Sequence, residues 1–163
     1  MITFEEIRAD RHLLKEVERV EGIYKVYLPE DIPFQLNKTT TAMEYDKKGR
    51  KLVYDSDEDI ERLLHQWELI QSAKEPDNRL VYIGRSGSGK SAGLRKRLKQ
   101  FAAYGVRKGD NHKGGKILWQ LTDAIKFHRE YFPCENCEIV EKELLQDYKR
   151  RHFGQLPIAN EIE

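Results

Sequence analysis

Long hydrophobic runs are missing from this 163-residue chain. Nowhere do roughly 18 apolar residues follow one another, as a membrane-spanning helix requires. Met1-Ile2-Thr3-Phe4 leads directly into charged residues, where a secretory leader would carry an apolar stretch. No membrane partner is expected, and a cytoplasmic location follows by default. Cysteine is scarce, with two residues in all, both in Cys134-x-x-Cys137. There is no second cysteine pair, and His65, His112, His128 and His152 show no ligand spacing, so zinc is not the expected use of this motif. In the cytoplasm a disulfide is not expected either, which leaves packing at a helix start. Internal repeats and low-complexity tracts are absent. So is an excess of one charge: 29 Lys and Arg face 28 Asp and Glu, for a net charge of +1.

What the chain has is charge in blocks. Charged residues make up 35% of it and apolar ones 39%, the balance of a globular protein with a highly charged surface. Its length suits one domain, residues 1–163, large enough to bury a core. Between Arg85 and Lys116 there are ten Lys or Arg against the single Asp110, whereas Asp55, Asp57, Glu58, Asp59 and Glu61 form an acidic cluster. A basic block is either a solvated face or a surface that meets phosphates, and charge alone does not decide between them.

Periodicity places the elements. The first twenty residues read as helix, with Ile7, Leu13, Leu14 and Val17 on one face. Ile23–Leu28, Leu80–Ile83 and Ala124–Phe132 read as strands. Residues from about 33 to 78 form a polar insertion. It holds a hairpin (Thr41–Tyr45 with Lys51–Tyr54) and a helix, Asp57–Ser72, capped by Ser56. A basic helix from about Ser91 to Ala103, a short helix at Ile117–Leu121 and a longer one at Glu138–Arg151 complete the pattern.

The loop after Leu80–Ile83 admits a nucleotide reading. Gly84-Arg85-Ser86-Gly87-Ser88-Gly89-Lys90-Ser91 fits G-x-x-x-x-G-K-[ST] between strand and helix, with Lys90 placed for outer phosphates and Ser91 for Mg²⁺. Three features oppose a kinase or NTPase. Only 72 residues follow Ser91, no later strand ends in a magnesium-holding Asp, and the next helix is basic on most faces.

A second pattern uses more of the chain. Gly22-Ile23-Tyr24 and Tyr82-Ile83-Gly84, each on an expected strand and followed by Gly93-Leu94-Arg95-Lys96-Arg97-Leu98, resemble the signature of the GIY-YIG endonuclease superfamily. The segment Glu141-Lys142-Glu143-Leu144-Leu145-Gln146-Asp147-Tyr148 and then Leu156-Pro157-Ile158-Ala159-Asn160 resemble that family's closing helix and asparagine. The resemblance implies an α+β, sandwich-like domain, in which a small, mainly antiparallel three-stranded sheet is flanked by helices, here with a hairpin-plus-helix insertion. It implies metal-dependent hydrolysis of DNA phosphodiesters, on double-stranded or branched substrates, with Tyr24, Tyr82, Arg85, Arg97, Glu141 and Asn160 in the catalytic site. Glu141 would anchor Mg²⁺ or Mn²⁺. Two departures stand out. Tyr24 and Tyr82 are 58 positions apart because the insertion separates them, and Phe101 stands where some members carry a histidine.

Helix geometry bears on the same residues. At about 100° per residue Glu141 points along the stripe of Val140, Leu144, Leu145 and Tyr148, while Glu143 points away. A carboxylate on the core side is costly unless it is paired with an arginine or binds a metal. Arg97 edges the stripe of Leu94, Leu98 and Phe101. In the implied mechanism Arg97 and Arg85 stabilise charge on the phosphate. Tyr24 positions or deprotonates the attacking water, its pKa drawn below about 10 by neighbouring cations, and Tyr82 assists. Asn160 holds the site by hydrogen bonds. Lys90, Arg95, Lys96, Lys99, Arg107, Lys108 and Lys113 would grip the flanking backbone. A binding module without chemistry remains the third alternative.

Overall fold

The computed structural model describes residues 2–15, 17, 20–37, 56–87, 93–104 and 116–160. The expected hairpin at residues 41–54 lies outside them. In chain order the elements are β1 (Ile2–Thr3), α1 (Phe4–Ala9), a 3-10 turn (Arg11–Lys15), β2 (Gly22–Tyr27), α2 (Asp57–Ser72), β3 (Leu80–Arg85), α3 (Leu94–Tyr104), α4 (Lys116–Gln120), a second 3-10 turn (Ala124–Lys126), β4 (His128–Pro133) and α5 (Cys137–Arg151). No helix among the described residues is long and apolar enough to cross a membrane.

The strands form one antiparallel sheet in the order β1-β4-β2-β3. The α+β class is as expected, but there are four strands where three were expected. β1 is two residues long, too short for alternation to show. It is held by Arg129, which donates from Nε to the Ile2 carbonyl (3.0 Å) and from Nη2 to that of Thr3. Register sorts the side chains. Tyr24 lies opposite Gly84 and Val26 opposite Tyr82, so these four share one face, and Ile23, Lys25, Ile83 and Arg85 share the other. The tyrosine face meets Phe101 of α3, which in turn touches Phe4 of α1. α5 packs along β3 and β2.

Elsewhere local hydrogen bonds override periodicity. The first twenty residues do not form one helix. Thr3 and Glu6 build a capping box that starts α1, and the Asp10 carboxylate takes the His12 amide (2.7 Å), so only a 3-10 turn follows. The expected strand at Ala124–Phe132 is likewise broken. Asp123 has φ 58°, Ala124–Lys126 turns, and β4 begins at His128. α2 matches its expected bounds, with Ser56 accepting from the Asp59 amide. This part of the insertion is more than a surface appendage. Leu63, Trp67 and Ile70 are buried, and Phe34 stacks on Trp67 at 4.4 Å. Burying each such side chain contributes about 1.5–3 kcal/mol.

Candidate active site

Two glycines explain how four side chains come together. A Cβ at Gly84 would lie 2.5 Å from Tyr82 Cε1 and 2.7 Å from Tyr24 Oη. Bare backbone on β3 is therefore what lets the two rings lie side by side, 5.8 Å apart, with Phe101 at 5.5 Å from Tyr82 and 5.8 Å from Tyr24. A Cβ at Gly22 would meet Leu94 Cδ1 at 2.1 Å and the Phe132 carbonyl at 2.6 Å. Its absence lets the first turn of α3 press onto β2 and brings Arg97 over the tyrosines. Arg97 donates to the Tyr24 oxygen, which is also hydrogen-bonded to the Tyr82 hydroxyl. Arg97 Nε is buried and has no hydrogen-bond partner among the described residues.

Electrostatics correct one expectation. Tyr24 is fully buried, and burial pushes its hydroxyl up to about 12; Arg97 and Tyr82 offset only part of that. Tyr82 is held well above its usual value, by burial first and then by Tyr24. The expected lowering of the Tyr24 pKa by cations does not occur, because lost hydration outweighs the guanidinium.

On the other side of the site Glu141, with a side chain 22% exposed, accepts from Arg85 Nε at 2.9 Å. Glu138, one turn earlier on α5, lies 3.8 Å from Arg85 Nη2. The charge of Glu141 also bears on both tyrosines. Of the two readings of a core-side carboxylate, pairing with an arginine is therefore realised. Asn160 fastens the outer edge of β3: Ile83 N–H donates to Oδ1 (2.9 Å), and Nδ2 donates to the Ile83 carbonyl (2.8 Å). The amide acts as a strand would, and it fixes the residue between Tyr82 and Gly84.

Tyr24, Tyr82 and Arg97 thus form one hydrogen-bonded group drawn from β2, β3 and α3. The Arg85–Glu141 pair joins β3 to α5 from the other sheet face, with the Glu141 charge felt at both tyrosines, and Asn160 holds the β3 backbone at Ile83. Of the expected nucleic-acid contacts, Lys96 and Lys99 are exposed on α3. Arg95 turns inward, donating to the carbonyls of Val17 (2.9 Å) and Lys15. Lys90, Arg107, Lys108 and Lys113 lie outside the described residues, as does Ser91.

Sequence reasoning missed Ser86 and Glu138. Ser86 is buried; its Oγ accepts from the Gly22 amide (2.8 Å), and its own amide donates to the Gly22 carbonyl (2.9 Å). That amide extends the sheet and is not turned towards a phosphate. β3 moreover has an antiparallel neighbour, whereas nucleotide loops open from parallel α/β sheets. Both observations weigh against the nucleotide reading. The i, i+3 spacing of Glu138 and Glu141 was the available signal for the second carboxylate. No family model, curated protein or solved structure matches this chain.

Proposed function

We propose that the protein is a divalent-metal-dependent endonuclease that hydrolyses phosphodiester bonds of DNA, with a site of the GIY-YIG kind. The observation that carries this reading is the hydrogen-bonded group of Tyr24, Tyr82 and Arg97 at one end of a strand pair, with the Arg85–Glu141 pair close enough for the Glu141 charge to act on both tyrosines. A solvent-reached carboxylate whose charge is felt at both tyrosines suits a hard ion that keeps most of its waters. No group of three His, Cys, Asp or Glu able to hold a metal occurs among the described residues, which argues against a cage of protein ligands. Mg²⁺ or Mn²⁺ at Glu141 would supply Lewis-acid stabilisation and a more acidic water.

The chain's own residues divide the remaining work. Arg97, held against the Tyr24 oxygen, supplies positive charge that is already in place before charge develops on a phosphate. Arg85 joins it once the phosphate draws the guanidinium from Glu141. Tyr24 is a poor general base: a hydroxyl titrating at about 12 is ionised about once in 10⁵ at neutral pH, a cost of about 7 kcal/mol. Its oxygen already accepts from Arg97 and is hydrogen-bonded to Tyr82, so its role is to position. Asn160 keeps Tyr82 and Gly84 in register. Exposed Lys96 and Lys99 face the flanking backbone.

Duplex and branched DNA incubated with the protein in Mg²⁺ or Mn²⁺ tests the reading. Cleavage is expected, with Arg97→Ala and Glu141→Ala inactive; variants that cut as well as the parent would sink it. The Arg85–Glu141 pair favours one rival, a binding module in which Glu141 merely answers an arginine. That module would hold DNA in a salt-dependent way and be indifferent to loss of the carboxylate.

A further inference from the structure

The Cys-x-x-Cys segment takes no part in the site, yet its geometry is organised. Pro133 ends β4 opposite Gly22, and the Cys134 amide continues the pairing by donating to the Glu21 carbonyl (3.2 Å). Asn136, at φ 54°, then turns the chain sharply, and α5 starts at Cys137. This turn folds Cys137 back so that its Sγ–H donates to the Cys134 carbonyl at 3.0 Å. The two thiols differ in access: Cys134 is half-buried and Cys137 is 1% exposed. A third ligand that would make this a metal site is absent among the described residues.

We propose that Cys134 and Cys137 form a reversible dithiol–disulfide pair, whose closure fastens the first turn of α5 to the end of β4. Cytoplasmic disulfides, where they occur, are usually transient and redox-sensing. With a small disulfide such as oxidised glutathione as oxidant, the accessible Cys134 thiolate attacks one sulfur and releases a glutathione thiolate. Cys137 then loses its proton, attacks Cys134 Sγ and expels the second glutathione, which takes up that proton. Two electrons leave the dithiol and one molecule of oxidised glutathione becomes two of reduced glutathione. Glu138 directly follows Cys137, and Glu141 lies one turn beyond, so the closed pair acts on the helix start that faces Arg85.

The test is equilibration of the reduced, full-length protein in glutathione redox buffers, followed by trapping of free thiols with a maleimide and mass spectrometry. The expected product has lost two hydrogens, takes up no maleimide, yields a peptide joining residues 134 and 137, and returns to the dithiol with reductant. Cys134→Ser abolishes it; Cys137→Ala does the same and guards against a folding defect in either variant. Accumulation of a glutathione adduct on Cys134 with Cys137 still reactive would overturn the pair. Hydrogen exchange gives the second readout: amides of residues 138–141 are expected to exchange about threefold or more slowly in the disulfide form. Equal exchange in both forms would overturn the fastening. Neither measurement involves nucleic acid, so both stand apart from the nuclease reading.

Discussion

Arg151 and Arg85 both meet carboxylates beside α5, in opposite styles. At the C-terminal end Arg151 grips Asp77 through two parallel contacts, 2.6 and 2.7 Å, and also takes Asp147 at 3.0 Å and Glu75 at 3.3 Å. Beneath it, buried His152 stacks on Tyr148 at 3.8 Å. Near the N-terminal end Arg85 makes one close contact, to Glu141, and a long one, to Glu138. Arg97 close by keeps an unanswered Nε. A fork bound on both prongs is a fastening, because any ligand would have to displace several charge-assisted hydrogen bonds at once. A partly exposed guanidinium held by one close bond, as Arg85 is, can exchange that partner for a phosphate at far lower cost.

Arg97→Ala against Arg151→Ala breaks that contrast most directly. Loss of Arg97 is expected to lower the DNA cleavage rate about 10²–10³-fold, the usual effect of removing one preorganised donor. The thermal midpoint should fall less than in Arg151→Ala, since a buried orphan leaves with the side chain and only the one bond to Tyr24 is lost. Arg151→Ala should do the reverse, lowering the midpoint while each folded molecule still cuts at the parental rate. Nicking assays and calorimetry on the two proteins decide it. Parallel losses in both would mean that the two ends of α5 are not separable.

Gly84→Ala comes next in size. The added methyl has no room between Tyr82 Cε1 and Tyr24 Oη, and those atoms belong to packed rings. A destabilisation of about 1–3 kcal/mol is expected from overpacking, seen as an earlier urea midpoint, with cleavage lost as the rings part. A variant as stable and active as the parent would show that the rings can move apart freely.

These sites differ in how far the sequence announces them. Tyr24, Tyr82, Arg97, Glu141 and Asn160 are expected in advance because the tripeptides, the basic helix and the closing segment resemble a family signature, and helical phase adds its own local signal for Glu141 and Arg97. The bounds of α2 are legible for the same reason, through Ser56 and a regular apolar stripe. What escapes depends on contacts distant in sequence. β1 exists because Arg129 reaches back to Ile2 and Thr3, and no periodicity in two residues can show that. Ser86 sits in a Gly-Ser loop that suggests phosphate, and only the proximity of Gly22 turns its amide into part of the sheet. The sign of the Tyr24 shift needs the depth of its burial, which cations near in sequence cannot reveal.

Acid separates the fastening from the site by a smaller effect. Burial opposes ionisation of Asp77, but hydrogen bonds and charge from Arg151, with His152, outweigh it and hold the carboxyl below its ordinary 3.8. The unfolded chain therefore takes up the proton first. Stability from this pair is complete above pH 3.8 and drains away as acidity carries the protein down through the lowered folded value. With both side chains partly exposed, Asp77→Ala should cost about 1–2 kcal/mol at neutral pH and less under acid. Urea titrations of parent and variant should converge on acidification. A constant gap between them would mean that the Asp77 charge is not what holds Arg151.

Asn160→Ala should give the smallest change, and it tests whether the end of β3 is held from outside the sheet. The substitution removes one acceptor and one donor from Ile83 and leaves the Val81 carbonyl still paired with the Ala159 amide at 2.8 Å. Each lost hydrogen bond is worth about 1 kcal/mol, and water can reach a strand edge to replace part of that. A net cost of about 1 kcal/mol is therefore expected in urea unfolding. Hydrogen exchange should quicken at the Ile83 amide and stay unchanged at Tyr148, far along α5 on the fastened side. Cleavage should fall by less than in Arg97→Ala, because Asn160 touches backbone only and acts by keeping Tyr82 beside Tyr24. If cleavage instead vanishes while Ile83 exchange is unaltered, Asn160 works on the substrate itself and the edge bond is incidental.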